Sequence, residues 1–393
     1  MVGRSVLSIL AYAGVAANER WWVGSGGCDG AMTGCVGDKE SEQALRQIEV
    51  QPDGRMTPVG SPVPTGGLPA WLTVADGCLF AALADADKIL SISANSVQGA
   101  GADACADAGA ARTGGTTPVH LTATNDGKFL LVADYNGPDD ANSSRGAGAA
   151  SLAISAPCRL EQRDFVPHDG SGPDRSRQGA AHVHSIYASR DGQLAYSCDL
   201  GQDLIFTYSV GADGKLTEVS RARAPPGSGP RHLAEHPSLD FVYSVQEMGQ
   251  SVAAWRKHAN GSLELAQILS LVPEGSSSKG SKAGEIVIAP DGRALYATNR
   301  GRLNTVTVFS VVEGSIAQVQ QIDAPRFPRG MELAHGGTLL LVASQEDTTV
   351  ESFRVAADGT LSPTGHVLKE GLPDHPATLA KFGPVAAPLA MET

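Results

Sequence analysis

The stretch GPRHLAEHPSLDFVYSVQE, Gly229 to Glu247, decides the fold, because it holds two short strand-like runs on either side of a turn. Apolar and polar residues alternate in both runs, and HPSLD between them supplies the proline, serine and aspartate that favour turns. The stretch therefore predicts a β-hairpin. Since the two ends of a hairpin lie on the same side, we expect Arg231 near its start and Glu247 at its end to meet.

The same pattern recurs along the chain and is followed each time by a second strand pair, as in LIFTYSVGADGKLTEVS from Leu204. Five of six copies carry a glycine in the first turn, where Asp-Gly or Gly-Gly tolerates positive φ. One repeat is thus four antiparallel strands, typical of a β-propeller blade, which buries its faces only when neighbouring blades stack on it. The six copies begin at Leu68, Pro118, Val183, Pro230, Ala283 and Pro328.

The two ends of the chain predict a seventh blade. HPATLAKFGPV from His375 predicts its first strand, and SVLSILAYAGVAA (5–17) with ALRQIEVQPDGRMTPVG (44–60) predicts the strands that complete it. A ring closed in this way leaves no unpaired edge. We therefore predict an all-β protein, a single domain over residues 1–393, built as a seven-bladed β-propeller of four-stranded antiparallel blades closed by N- and C-terminal strands.

Charge and hydropathy exclude several classes of partner. A formal net charge of −12 argues against nucleic acid or an anionic membrane, because long-range repulsion opposes the encounter. No stretch reaches the roughly 20 apolar residues that cross a bilayer. The first residues resemble a secretory leader, with small residues near Ala17. The strand predicted at 5–17 favours instead a mature chain in the cytoplasm.

The cysteines show no paired spacing of the kind that zinc or redox sites have. Free thiols are the expectation, with a Cys28–Cys35 bridge as the alternative. The six cysteines are Cys28, Cys35, Cys78, Cys105, Cys158 and Cys198.

Polar side chains fall at two equivalent positions of the repeats, near the start of the first strand and just after the second. In a purely structural ring these positions would be small or apolar. Because first strands line the central channel of a propeller, we expect these side chains to converge at its mouth, on the rim that also carries the long connections. The candidate catalytic residues are His184, Arg231, Glu247 and Arg300. The candidate substrate-binding residues are Arg329, His182, Asp199, His232, Asn299, Gln345 and Tyr135.

This combination of residue types predicts a site for a small anionic substrate, because guanidinium groups bind phosphate or carboxylate through paired, charge-assisted hydrogen bonds. The alternative is a structural ion pair of Arg231 or Arg300 with Glu247 or Asp199. A histidine such as His184 suits general acid–base chemistry near neutral pH. We expect Glu247 to position the substrate or to accept a proton.

A metal site is a weaker alternative. Glu247, Asp199 and Asn299 are oxygen donors of the kind that calcium and magnesium prefer. The nearby arginines would repel a cation, so neither a metal nor another cofactor is predicted.

At these residues the chain resembles the lactonase family of seven-bladed propellers, which includes propeller-type 6-phosphogluconolactonases and carboxymuconate lactonizing enzymes. The resemblance covers roughly residues 68 to 365. It rests on HVHSIYASRDGQLAYSCDLGQD, GPRHLAEHPSLDFVYSVQE, APDGRALYATNRG and FPRGMELAHGGTLLLVASQ.

The resemblance implies a cofactor-free enzyme in which His184, Arg231, Glu247 and Arg300 bind an anionic substrate and move protons. Hydrolysis of a phosphorylated sugar lactone is the first hypothesis. Cycloisomerisation of a carboxymuconate is the second. A non-catalytic ligand-binding or scaffold propeller is the third.

Overall fold

The computed structural model describes residues 18–27, 39–93, 109–136, 146–155 and 158–382. Within these ranges the strands form seven four-stranded antiparallel sheets arranged as the blades of a propeller. The prediction of an all-β, seven-bladed propeller is confirmed.

Strands are numbered in chain order and blades from the first complete repeat. Blade 1 comprises β4 (Pro69–Ala75), β5 (Cys78–Leu83), β6 (Lys88–Ser93) and β7 (Gly109–Ala111), and blade 2 comprises β8 (Pro118–Ala123), β9 (Phe129–Asp134), β10 (Gly148–Ser155) and β11 (Arg159–Pro167). Blade 3 comprises β12 (Val183–Ala188), β13 (Leu194–Asp199), β14 (Leu204–Val210) and β15 (Leu216–Arg223). Blade 4 comprises β16 (Pro230–Glu235), β17 (Phe241–Gln246), β18 (Ser251–Lys257) and β19 (Leu263–Ser270).

The remaining blades follow the same plan. Blade 5 comprises β20 (Ser281–Ile288), β21 (Ala294–Gly301), β22 (Thr305–Val312) and β23 (Ser315–Asp323), and blade 6 comprises β24 (Pro328–Ala334), β25 (Leu339–Ser344), β26 (Thr349–Val355) and β27 (Leu361–Leu368). Blade 7 comprises β28 (Pro376–Phe382), β1 (Glu19–Ser25), β2 (Ala44–Val50) and β3 (Met56–Pro64). A short helix α1 (Lys39–Glu42) precedes β2, and a single 3₁₀ turn (His335–Gly337) separates β24 from β25.

The first strands β4, β8, β12, β16, β20, β24 and β28 each contact the first strands of both neighbouring blades and so form a closed inner ring. The apolar core lies between blades rather than within them. Between blades 4 and 5, for example, Phe241 and Tyr243 pack with Ile286 and Phe309. Each alternating strand therefore buries its apolar side chains only because an adjacent blade covers them.

The turn HPSLD lacks the glycine of the other copies, and a histidine side chain stabilises it instead. The imidazole Nδ1 of His236 accepts hydrogen bonds from the backbone N–H groups of Ser238 and Leu239 at 3.1 and 2.9 Å. Its Nε2 lies 3.1 Å from the carbonyl oxygen of Gly292 in the next blade. The turn is thus fixed by side-chain hydrogen bonds rather than by positive φ.

The strand that closes the ring differs from the prediction. Beside β28 lies β1, Glu19–Ser25, with Trp22 opposite Ala380, whereas residues 5–17 lie outside the described residues. The expected strands over 44–60 are present as β2 and β3. The run ERWWVGS buries its two adjacent tryptophans on opposite faces of blade 7, Trp21 against blade 6 and Trp22 against blade 1, and this burial stabilises the strand. The closing blade therefore supplies no argument against a leader over residues 5–17.

The expectation of free thiols is wrong for one pair of cysteines. Cys78 at the start of β5 is joined by a disulfide to Cys158 just before β11, so that the bond links blades 1 and 2. Cys198 is a buried free thiol. Cys28, Cys35 and Cys105 lie outside the described residues. Pairing across 80 residues of sequence depends on the stacking of two blades, which cysteine spacing does not reveal.

In the part of the chain that the structure describes, every helix is too short or too polar to cross a membrane.

Candidate active site

A β-bulge recurs near the start of the first strands. Pairing with the second strand skips His184 in blade 3, Arg231 in blade 4 and Arg329 in blade 6. A bulged residue has no partner opposite it, and the local bend re-aims its side chain. The bulge therefore explains locally why a charged residue occurs at this position, although it interrupts the alternation of side chains along the strand.

Blade 5 has the same irregularity but no side chain at the equivalent position. A Cβ atom on Gly284 would lie 2.4 Å from Oγ1 of Thr298 and 3.0 Å from the carbonyl oxygen of Pro328. Only glycine fits there. The neighbouring Lys282 and Glu285 carry the charged groups of this strand instead.

Glu247 directly follows β17 and is held through its backbone. Its N–H donates to the carbonyl oxygen of Gly229 at 2.8 Å, and its own carbonyl accepts from the N–H of Ala283 in blade 5 at 3.0 Å. The carboxylate is therefore positioned by both its own hairpin and the next blade.

Oε2 of Glu247 faces three groups from the blades themselves. Nη2 of Arg300 lies 2.9 Å away, Nε of Arg231 lies 3.3 Å away and Nε2 of His184 lies 3.9 Å away. The side chains of Glu247, Arg231 and Arg300 are each only 2% exposed. Blades 3, 4 and 5 thus combine to form one buried charge cluster.

Oε1 of Glu247 faces a different pair of cations. Nη2 of Arg177 lies 2.8 Å away and Nζ of Lys282 lies 3.8 Å away. These side chains are 33% and 28% exposed, so they are accessible to solvent, in contrast to the arginines beside Oε2. Four cationic side chains therefore surround a single carboxylate, and the cluster is positively charged although the whole chain is acidic.

The charges determine which of these groups exchange protons. Burial by itself would raise the pKa of Glu247, but the charges of Arg300, Arg231 and Lys282 outweigh burial and hold this pKa well below its usual range. Burial, with Arg231 and His232 nearby, lowers the pKa of His184 well below its usual value. Burial and the charge of Arg300 lower the pKa of Arg231 to about 9. At neutral pH Glu247 is a carboxylate, His184 is a neutral imidazole and Arg231 is a cation.

Aromatic rings border His184. The ring of Tyr135 lies edge-on to it with centroids 5.4 Å apart and stacks on the ring of His182 at 4.6 Å. Nδ1 of His182 lies 3.0 Å from the carbonyl oxygen of Tyr135. Nη1 of Arg177 donates to the Tyr135 hydroxyl at 3.1 Å. Tyr135 and His182 therefore support the side of the cluster that carries Arg177.

A layer of rings lies next to the charge cluster. The ring of His232 packs against His184 at 5.1 Å, His120 at 5.2 Å and Trp71 at 4.9 Å between centroids. Trp71 belongs to blade 1 and His232 to blade 4, so their contact spans the central channel. These rings therefore pack across the channel and form a layer next to the charged residues.

Glu285 of blade 5 and Glu332 of blade 6 carry two carboxyl groups near this layer of rings. Oε1 of Glu285 lies 2.7 Å from Nδ1 of His232. Burial raises the pKa of Glu285 to about 7. Burial, followed by repulsion from Glu285, raises the pKa of Glu332 to about 8. Both groups are therefore partly or largely protonated at neutral pH.

Not every predicted residue joins the cluster around Glu247. Asp199 is fully buried, and its carboxylate accepts from the N–H of His182 at 3.0 Å and lies 2.8 Å from Nδ1 of His168. Asn299 is buried, and its amide donates to Gln250 at 3.3 Å. These contacts stabilise connections within and between blades. The structure thus gives both residues a supporting position, away from the charged centre.

Arg329 and Gln345 form a neighbouring pair on blade 6. Nη1 of Arg329 donates to Oε1 of Gln345 at 3.4 Å, and the Gln345 amide donates to the carbonyl oxygen of Gly27 at 3.0 Å. The charge of Arg329 contributes to lowering the pKa values of His184 and Arg231, which places it within electrostatic range of the cluster.

Three charged residues that contact Glu247 or His232 were not predicted from the sequence. Lys282 pairs with Arg300 across the first two strands of blade 5, and Glu285 follows Gly284, so the repeat register could have identified both. Arg177 belongs to the connection between blades 2 and 3, where no repeat register applies. Among the described residues, no group of three or more His, Cys, Asp or Glu side chains is arranged to hold a metal ion.

Comparison with known proteins assigns this propeller to a family. The family model described as Lactonase, 7-bladed beta-propeller matches residues 31–373. The chain belongs to this lactonase family. A 6-phosphogluconolactonase from Erwinia tasmaniensis is 31% identical over 252 residues, which cover 63% of this chain and 70% of the relative.

Solved structures share the architecture at lower identity. The periplasmic gluconolactonase of Pseudomonas aeruginosa is 23% identical with a TM-score of 0.77, covering 93% of this chain and 99% of that one. A protein from Lactobacillus plantarum is 22% identical with a TM-score of 0.76, covering 93% of this chain and 100% of that one. At these identities the likeness concerns the fold.

Proposed function

We propose that this protein is a hydrolase that opens a small anionic sugar lactone, with a phosphorylated sugar lactone such as 6-phosphogluconolactone as its substrate. One observation carries the proposal: four cationic side chains surround the single buried carboxylate of Glu247. They are Arg177, Arg231, Arg300 and Lys282. An excess of cations over carboxylates attracts an anionic ligand. The family and the Erwinia relative support a lactone as that anion.

His184 is the group best suited to activate water. It is a neutral imidazole at working pH because burial and Arg231 lower its pKa. It takes a proton from water as the water oxygen attacks the lactone carbonyl carbon. The carbon–oxygen bond of the ring then breaks, and the proton passes to the departing alkoxide. The product is an open-chain hydroxy acid.

Glu247 acts in this proposal as a fixed anion rather than as a base, because the charges of Arg300 and Arg231 hold its pKa low against the effect of burial. It orders the surrounding cations and stabilises the imidazolium that forms when His184 accepts a proton. Arg231 and Arg300, the cations beside Oε2, stabilise the negative charge that develops on the carbonyl oxygen.

The experiment compares turnover of 6-phosphogluconolactone, gluconolactone and a carboxymuconate by the wild-type chain and by His184→Asn. We expect acceleration of phosphorylated lactone opening above its spontaneous rate, and a loss of about 10²–10⁴-fold in kcat for the variant. If only the carboxymuconate is turned over, the proposed activity is wrong and the protein is a cycloisomerase. Binding without turnover of any of the three would favour a ligand-binding propeller.

We further propose that the protein works in an oxidising compartment rather than in the cytoplasm. The disulfide between Cys78 and Cys158 supports this location, since such bonds persist mainly outside the reducing cytosol. The test is rapid thiol alkylation of the protein in its source cells, followed by mass spectrometry. We expect Cys78 and Cys158 to be joined by a disulfide. Alkylation of both residues would contradict the oxidising compartment and favour the cytoplasm.

A further inference from the structure

The two oxygens of the Glu247 carboxylate separate the surrounding cations into a buried set and an exposed set. Arg231 and Arg300 lie beside Oε2 with only 2% of their side chains exposed. Arg177 and Lys282 lie beside Oε1 with 33% and 28% exposed. A ligand that enters from solvent meets the exposed set first, whereas the buried set lies deeper, beside His184, whose side chain is 9% exposed.

Arg177 is the stronger member of the exposed set. Its guanidinium spans two blades, donating from Nη2 to Glu247 at 2.8 Å and from Nη1 to the Tyr135 hydroxyl at 3.1 Å. Its Nε is buried and has no hydrogen-bond partner among the described residues. The planar group therefore holds a fixed orientation while part of it remains open to solvent.

The connection that carries Arg177 is itself anchored. The amide of the neighbouring Gln178 is buried and donates to the carbonyl oxygen of Leu200 and to Oδ1 of Asp203, both at 2.8 Å. The N–H groups of Arg177 and Gln178 bond to the carbonyl oxygen of Asp174 at 3.1 and 2.6 Å. An arginine positioned in advance loses little conformational entropy when it binds a ligand.

We propose that Arg177, assisted by Lys282, is the specificity-determining receptor for the remote anionic group of the substrate, while the reaction takes place on the Oε2 side of Glu247 beside His184. This inference rests on the proposed lactone hydrolysis and adds how the site distinguishes a phosphorylated lactone from an uncharged one. The chemistry recognised is a terminal phosphate, which a guanidinium binds through two parallel hydrogen bonds.

The test measures kcat and KM for 6-phosphogluconolactone and for gluconolactone in the wild type, Arg177→Met, Arg177→Lys and Arg175→Met. Arg175 is the matched control, because it is exposed on the same connection and its replacement removes the same charge. We expect Arg177→Met to raise KM for the phosphorylated lactone roughly 10- to 100-fold, the range for loss of a charge-assisted hydrogen bond. The value of kcat/KM for gluconolactone should change less than about threefold.

The lysine variant separates charge from geometry. Arg177→Lys should recover only part of the affinity for the phosphorylated lactone, since an ammonium cannot form the paired contact. Equal losses on both lactones in Arg177→Met, or the same loss in Arg175→Met, would overturn the assignment of Arg177 and leave lactone hydrolysis intact. Failure of the wild type to accelerate opening of either lactone would instead refute the proposed function.

A turnover-independent measurement completes the design. Calorimetric titration with the product 6-phosphogluconate, and with gluconate for comparison, reports binding of the phosphate directly. Arg177→Met should weaken binding of 6-phosphogluconate and leave that of gluconate unchanged. Unchanged binding of 6-phosphogluconate would contradict the inference.

Discussion

Arg231 and Glu247 stand at the two ends of one β-hairpin, and Nε of the arginine lies 3.3 Å from Oε2 of the glutamate. Arg300 of the next blade approaches the same oxygen at 2.9 Å. The carboxylate therefore joins two blades electrostatically. Because all three side chains are buried, removal of the carboxylate would leave both arginines without their anion in a desolvated site.

Replacing Glu247 by Gln should destabilise the fold. The variant leaves Arg231 and Arg300 buried without their anion, and removal of one partner from a buried ion pair costs about 3–5 kcal/mol. The free energy of unfolding from denaturant titration measures the loss. As a control, Glu218→Gln removes the partner of Arg221 on the surface and should cost less than about 1 kcal/mol. If Glu247→Gln lowers the free energy of unfolding by no more than the control variant does, a stabilising role of the Glu247 carboxylate is refuted.

The pH dependence of the wild-type activity should reflect the lowered pKa of His184. Burial and the charge of Arg231 disfavour the imidazolium, so His184 remains unprotonated until the pH falls well below its usual pKa. We expect kcat/KM to stay level from about pH 8 down through the ordinary histidine range of about 6.5 and to fall only below it. An acid limb centred near pH 6.5 would contradict this. His258→Asn, at an exposed position, should leave the profile unchanged.

Stability should decrease as the pH rises toward 8, and Glu332 should account for part of this slope. Burial, then Glu285, raises the pKa of Glu332 from 4.5 to about 8. Between these values the folded chain retains a proton that the unfolded chain releases, so the free energy of unfolding falls with rising pH.

The variant Glu332→Gln tests this directly by thermal unfolding from pH 5 to 8.5. It should show a shallower decline than the wild type, with the largest difference near pH 8. Glu285, whose pKa burial raises to about 7, leaves some slope in the variant. The exposed Glu264→Gln serves as a control for net charge. If stability decreases equally with pH in Glu332→Gln and in the wild type, Glu332 does not contribute to the pH dependence.

The disulfide between Cys78 and Cys158 should make stability sensitive to reductant. It closes 80 residues of sequence, for which the chain-entropy relation predicts roughly 4.5 kcal/mol of stabilisation. Dithiothreitol should therefore lower the unfolding midpoint of the wild type. The double variant Cys78→Ser, Cys158→Ser should have the lower midpoint from the start and no response to reductant. A response equal to that of the wild type would point to another bridge.

The repeat register predicted the parts of the site that depend on strand position. It placed Arg231, Glu247, Arg300 and His184 on one rim because they occupy two sets of equivalent positions in the hairpins, and in the structure the other three lie within 3.9 Å of the Glu247 carboxylate. The same register grouped Asp199 with them, although its carboxylate is turned to His168 and the backbone of its own blade. The repeat register predicts at which end of a strand a residue lies. It does not predict the side-chain rotamer or which neighbouring groups the side chain contacts there.

The hairpins, the four-stranded repeat and the closed ring could be predicted from residue patterns, because alternation and turn residues act over a few neighbouring positions. No such pattern predicted that ERWWVGS closes the ring, that Cys78 pairs with Cys158 or that Arg177 contacts Glu247. Each of these depends on packing between segments far apart in the chain, and such packing leaves no local periodic pattern.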